Sequence, residues 1–218
     1  MAPAKREQAL SRERIIDAAI ALLDTEGEDG LTFRALATRL ATGAGAIYWH
    51  VANKGELLVA ASHAVIGHAL DGVAASATPH EAIRRIAIGV FEAIDAHPWV
   101  GAQMSRAPGQ PPMLDIFERL GRQLQALDLP EPAQFTAAST LLSYIVGVSI
   151  QNARNGRLFD PPVDRDAHLE QLAQRWRALD AHAYPFARAI ATQLPGHDDL
   201  GEFVAGVDLI LSGIEASR

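Results

Sequence analysis

With 218 residues, 49% of them apolar and 21% charged, the chain has room for one large domain or a small one joined to a larger one, and enough apolar side chains for a buried core. It has no cysteine, which excludes disulfides, cysteine-based zinc sites and thiol catalysis. No apolar run reaches the roughly 18 residues a membrane span needs, and no apolar stretch follows the basic N-terminus as in a signal peptide, so a cytoplasmic protein with no membrane partner is expected. The net charge of −7 argues against nucleic-acid binding when taken alone, but its distribution matters more than its total. In the first 60 residues seven bases (Lys5, Arg6, Arg12, Arg14, Arg34, Arg39, Lys54) face eight acids, a sum of about −1. Five of those acids (Asp17, Asp24, Glu26, Glu28, Asp29) crowd one stretch, which leaves room for a basic face elsewhere.

Every long segment has helical periodicity. Ser11 caps a first helix with Ile15, Ala19, Leu22 and Leu23 on one stripe, ended by Gly27 and Gly30. Thr32 caps a short second helix carrying Phe33, Leu36, Ala37 and Leu40. A turn at 41–43 leads to a short third helix, about 44–50, with Ile47 and Val51 facing inward. Asn53 and Glu56 have the spacing of a capping box for a fourth helix running toward Gly72. Thr78, Pro79 and Glu81 then start a helix that continues to His97-Pro98. After a Pro/Gly-rich loop at 107–112, Leu114, Phe117, Leu120, Leu124 and Leu127 mark the next. The segment 132–155 is apolar almost all round and belongs in a buried position. A loop with two prolines over 157–166, a polar helix near 166–179 and an apolar helix at about 199–216 complete the chain. The expected architecture is all-α: an N-terminal domain over 1–72, with its core at 10–60, and a larger helical domain over 73–218.

Two short helices separated by about three residues inside a three-helix unit have the spacing of a helix-turn-helix. With Ile47 and Val51 turned to the core, 3.6-residue geometry puts Ala44, Gly45 and Tyr48 on the outer face. The stretch LTFRALATRL-ATGAGAI-YWHVANKGELL resembles the DNA-binding domain of the tetracycline-repressor (TetR) family over about residues 10–60, most specifically in Tyr48-Trp49-His50-Val51, Asn53-Lys54 and Leu57-Leu58. The remainder, including His97-Pro98-Trp99 and Leu142–Gly147, is similar to the C-terminal domain of the tetracycline-repressor branch. The resemblance implies a ligand-responsive repressor that binds double-stranded operator DNA. Thr32, Arg34, Thr42, Gly43, Ala44, Gly45, Ala46, Tyr48, Trp49, His50 and Lys54 are its DNA-facing set. Arg34 suits a bidentate contact to guanine, Tyr48 a phosphate or a thymine methyl, and His50 and Lys54 phosphates. Trp49 suits a core position better than a contact. Ala44, Gly45 and Ala46 carry no hydrogen-bonding side chain, so shape and backbone approach must contribute to reading. The family's turn has Gly followed by an aliphatic residue. Here Ala41-Thr42 precede Gly43, and a left-handed Ala41 would be strained, so Gly43 is expected to take the turn.

Helices 132–155 and 199–216 are too apolar for a monomer surface. Paired about a two-fold axis they make a four-helix homodimer interface, as in the family, with Leu141, Ile145, Val148, Phe203, Val207, Ile210 and Ile214, and with Gly147, Gly206 and Gly213 for close packing. On family grounds the helices of 78–127 and their neighbours enclose a small apolar or drug-like effector. Its walls are Phe91, Trp99, Met104, Met113, Phe117, Phe135 and Tyr144; polar anchors are His97, Gln103, Ser139, Gln151 and Asn152. His97 lies where tetracycline repressors use a histidine in drug and metal binding, but the other histidine of that site aligns with Leu70, so no metal and no cofactor are expected. The fourth helix, nearly 30 Å long at 1.5 Å per residue, joins the two sites as a rod. An enzyme is the rival from another class. No HExxH, GxSxG or Gly-rich phosphate loop occurs, and His63 and His68 point roughly 140° apart on a helix. A DNA-binding regulator or co-regulator without a small-molecule effector is the other alternative.

Overall fold

The computed structural model describes residues 10–71, 78–106, 109–157 and 165–216, and among them every regular element is helical. In chain order these are α1 (Arg12–Gly30), α2 (Phe33–Arg39), α3 (Ala44–Tyr48), α4 (Lys54–Leu70), α5 (Pro79–Ala96), α6 (Pro98–Arg106), α7 (Pro111–Ala126), α8 (Glu131–Arg157), α9 (Arg165–Arg177), α10 (Pro185–Ile190), a 3-10 turn at Ala191–Gln193, and α11 (Asp199–Ala216). Lys5, Arg6, the junction at 72/73 and most of the loop at 157–166 lie outside the described residues.

The helix starts follow from local chemistry. Ser11, Thr32, Asn53 and Thr78 each accept the backbone N–H three residues on, at 3.3, 3.1, 2.9 and 3.2 Å, which satisfies one orphan donor per helix. The Asn53–Glu56 box is not reciprocal: the Glu56 carboxylate accepts from Ala52 N–H at 2.9 Å and pairs with Arg12. Those contacts, Ala52 first and Arg12 second, hold its carboxyl below the usual range. Gly27 has φ 70° and ψ −171°, so α1 breaks its helical path there before Leu31 closes it. At His97-Pro98 the chain does not simply leave α5. Pro98 opens a separate helix, α6, over residues to which the periodicity assigned no element, and α10 is likewise an addition.

Helices α1 to α3 surround Ile15, Leu22, Leu23, Leu36, Ile47 and Val51, all buried. Helix α4 packs on α1 at one end and on α5, α6 and α7 at the other. Gly89 brings the α5 backbone close to α4, where a Cβ would stand 2.8 Å from the Ala69 carbonyl oxygen. Helix α8 is the centre of the larger domain, in contact with α5, α6, α7 and α11. By length and mean hydropathy it is apolar enough to cross a membrane, beyond what its sequence runs had indicated. Only 33% of its most apolar stretch is buried in the subunit, so the expected burial on most sides is not met within one subunit. Arg84–Asp208 at 2.6 Å and His80–Glu215 at 2.8 Å tie α5 to α11.

Candidate nucleic-acid interface

The turn between α2 and α3 is a Schellman motif. Thr42 N–H donates to the Ala37 carbonyl at 3.0 Å and Ala41 N–H to the Thr38 carbonyl at 3.3 Å. Its left-handed residue is Ala41, at φ 51°. Gly43, at φ −85° and ψ 144°, is extended and serves as the N-cap of α3. The expected exchange of roles therefore does not occur. The 6→1 and 5→2 hydrogen bonds fix the turn at Ala41, which takes a conformation that favours glycine.

Beyond this turn the outer surface is sparsely built. Ile47 and Val51 are buried, as the periodicity required. Gly45 is exposed and a Cβ there would meet nothing within 4 Å. Ala44, Ala46 and Thr42 are half-buried and Thr32 is exposed. Tyr48 is 55% exposed and stacks flat on Phe33, ring centroids 4.3 Å apart and planes 4° apart, so the Phe33 ring aims the phenol outward. Arg34 is exposed on the first turn of α2, and among the described residues nothing holds its guanidinium. Trp49 corrects the expectation of a core position: it is 90% exposed, because its neighbours Ile47 and Val51 already occupy the inward direction. His50 is half-buried and contributes electrostatically, with Arg12, to holding the Glu13 carboxyl low, after hydrogen bonds from the Glu13 backbone and Ser11.

Lys54 behaves differently from its expected phosphate role. Its ammonium donates to the Glu28 carbonyl near the end of α1, pinning α4 to the N-terminal unit. Two of the five crowded acids of this region are accounted for, while Glu26 lies beside Thr32, Arg34 and Arg39 of the α2 surface. Asp24 receives Trp99 and His97, and Glu28 pairs with Arg106 at 2.6 Å. They face α6, not the α2–α3 surface.

The expected effector residues do not share one chamber. Gln103, Met104 and Met113 line a small, partly open cavity of about 10 Å³ between α4, α6 and α7, with Val59, Ser62, Gln110 and Pro112. Phe91, Tyr144, Gln151 and Asn152 line a separate cleft of about 250 Å³ beside α11. His97 and Trp99 are engaged with Asp24 on α1. Phe135 is 72% exposed and meets Phe117 edge-on at 6.1 Å, and neither it, Phe117 nor half-buried Ser139 lines the small cavity. Ser62 was missed by sequence reasoning. The available signal was a hydroxyl on the apolar stripe of α4, between Ala61 and Val65.

The expected dimer residues also divide. Leu141, Ile145, Phe203, Val207 and Ile214 are buried within the subunit itself, and Val148 and Ile210 are half-buried. Gly206 is consumed inside the subunit too, since the Tyr144 hydroxyl occupies the place of its missing side chain. What faces outward is a stripe of Thr140, Ser143 and Gly147 on α8 and of Ala205, Leu209 and Gly213 on α11. Leu209 is 76% exposed, and Cβ atoms at Gly147 and Gly213 would meet nothing within 4 Å.

Comparison with known proteins agrees with this geometry. Residues 15–61 match bacterial regulatory proteins, tetR family, and residues 76–218 match the tetracyclin repressor-like, C-terminal domain. The solved transcriptional regulator SCO7222, a TetR from Streptomyces coelicolor, is 50% identical with a TM-score of 0.87, over 95% of this chain and 99% of that one. The HTH-type transcriptional repressor DrrR1 of Streptomyces coeruleorubidus is 28% identical over 94% of this chain and 77% of its own length. The TetR family protein ActR of Streptomyces coelicolor, solved in complex with actinorhodin, shares the fold at TM-score 0.76 and 22% identity, over 96% of this chain and 99% of that one. With a helix-turn-helix at one end, a helical domain at the other and family matches across both, the chain belongs to the TetR family of bacterial transcriptional regulators.

Proposed function

We propose that the protein is a repressor that grips operator DNA as a homodimer in the cytoplasm and releases it when a small, largely apolar molecule enters the larger domain. The reader is residues 1–72, with Arg34, Tyr48, Trp49 and the bare face of Ala44–Ala46 toward the major groove; residues 73–218 sense and dimerise. Phosphate contacts would come from His50, Thr32 and Thr42, with Lys54 acting mainly as a structural tie. The outward stripe centred on Leu209, rather than the buried Leu141 and Ile145, is the face offered to the second subunit. The reading assigns no catalytic step, metal or cofactor.

The observation that carries the proposal is the double attachment of α4. Its first turn is fixed to α1 by Lys54 and Glu56, its middle lines the small cavity through Val59 and Ser62, and its last carbonyl, Leu70, accepts from Arg119 of α7 at 2.9 Å. At 1.5 Å per residue it spans about 25 Å. A molecule that opens the cavity must displace α4, α6 or α7, and a tilted α4 changes the spacing of the two recognition helices. ActR, which has this fold, holds actinorhodin. The small size of the cavity favours the alternative, a regulator without an effector. Selection of duplexes from a random pool should return a two-fold-symmetric site. Thermal shifts against a library of uncharged aromatic compounds then separate the readings, since an effector must stabilise the state it binds.

A further inference from the structure

We propose that the cavity between α4, α6 and α7 selects an uncharged molecule with a hydroxyl or carbonyl oxygen on an apolar, ring-sized frame, and that Ser62 reads that oxygen. The inference rests on the effector-responsive reading above and names its ligand class.

Ser62 is fully buried, and its Oγ has no hydrogen-bond partner. Ser149 shows what such a residue ordinarily does: equally buried on α8, it donates to the Ile145 carbonyl one turn back at 2.6 Å. Ser62 does not take that bond to its own helix, and it lines a cavity. A buried hydroxyl without a partner is costly, so a ligand oxygen that supplies one is favoured over a bare hydrocarbon of the same shape.

The rest of the lining fits that ligand. Gln110 is exposed, Gln103 half-buried and Ser62 fully buried, so three neutral polar groups are graded from the surface inward. Gln110 is the N-cap residue of α7, yet its side chain makes no capping bond. Met104 and Met113 fill the space between, and their unbranched side chains re-pack at low cost. About 10 Å³ is the room of a single water, so a ring enters only when the thioethers move. Among the described residues, no lysine, arginine, histidine, aspartate or glutamate lines the cavity. A carboxylate or an ammonium would therefore be buried without a counter-charge. One ion pair that joins two of the lining helices, His63–Asp115 at 2.7 Å, is exposed.

Three probes of one frame test this on the full chain by calorimetry: 2-naphthol, naphthalene and 2-naphthoate. The unmodified protein should bind 2-naphthol about tenfold more tightly than naphthalene, and 2-naphthoate should not bind. Ser62→Ala should bring 2-naphthol close to naphthalene and leave the naphthalene affinity as it was, with an unchanged or higher Tm. Gln103→Met should weaken 2-naphthol in the same direction. The inference is overturned if none of the probes binds, if 2-naphthoate binds as well as 2-naphthol, or if Ser62→Ala keeps the tenfold preference. Operator binding is followed in parallel. Release of DNA by a probe that ignores Ser62 overturns this inference and spares the effector-responsive reading. A Ser62-dependent 2-naphthol site with no effect on DNA supports the inference and overturns that reading.

Discussion

Asp24 of α1 accepts a hydrogen bond from the Trp99 indole of α6 at 2.7 Å, across the junction between the DNA-binding unit and the larger domain. The same oxygen lies 2.7 Å from His97 Nδ1, and Arg106–Glu28 runs beside it at 2.6 Å. Trp99 is buried, so removal of its acceptor leaves an indole N–H without a partner. Asp24→Ala should cost roughly 1–3 kcal/mol in urea unfolding, while Asp24→Asn, which keeps an acceptor oxygen, should recover part of it. If both variants unfold at the wild-type midpoint, the junction is not held by this contact.

The DNA surface gives a graded set of expectations. Arg34→Ala should weaken the selected operator by roughly 1–3 kcal/mol and relax one base pair in each half-site. Trp49→Ala should weaken DNA binding with no loss of stability, because the ring is 90% exposed. Lys54→Ala should instead lower the unfolding midpoint, since its ammonium serves the Glu28 carbonyl. Electrophoretic shifts in a salt series, read beside melting curves, check all three. A Lys54→Ala protein of full stability with a flattened salt slope would restore the phosphate role.

The turn offers a test of backbone strain. Ala41 holds the left-handed C′ position of a Schellman motif at φ 51°, where glycine is relieved of a Cβ clash. Ala41→Gly should raise stability by about 0.5–1 kcal/mol by chemical denaturation. A loss of stability would mean that the unfolded-state entropy of glycine outweighs the strain.

Dimer formation can be separated from folding. Ile145→Glu puts a charge into the subunit core and should prevent folding. Leu209→Glu places it on an outward face, so the expected outcome is a folded monomer by sedimentation with a helical spectrum. A Leu209→Glu protein that stays dimeric at micromolar concentration would place the interface elsewhere.

The caps at Ser11, Thr32, Asn53 and Thr78 were legible because each depends on a few neighbouring residues, and the helix-turn-helix followed from the spacing of two short helices, with Ile47 and Val51 orienting its outer face. Trp49 was misread because apolar residues favour the interior only as a one-way rule. Leu141, Ile145, Phe203 and Val207 were correctly apolar, but periodicity says that a face is buried and not which subunit buries it. Tyr144 against Gly206 decided that, and it is a contact between α8 and α11. The small cavity was least legible: Ser62, Gln103 and Met113 meet only through the packing of three helices. Ala41 was recognised as strained, yet the choice between it and Gly43 rested on hydrogen bonds from Thr42 to Ala37 that no local pattern displays.

If ligand and operator compete through α4, linkage makes the competition visible in one paired titration. The affinity of the tightest uncharged ligand from the thermal screen is measured with the free protein and again with saturating operator duplex. Operator should weaken the ligand by the same factor by which the ligand weakens operator. Equal ligand affinities in the two titrations would contradict competition through α4.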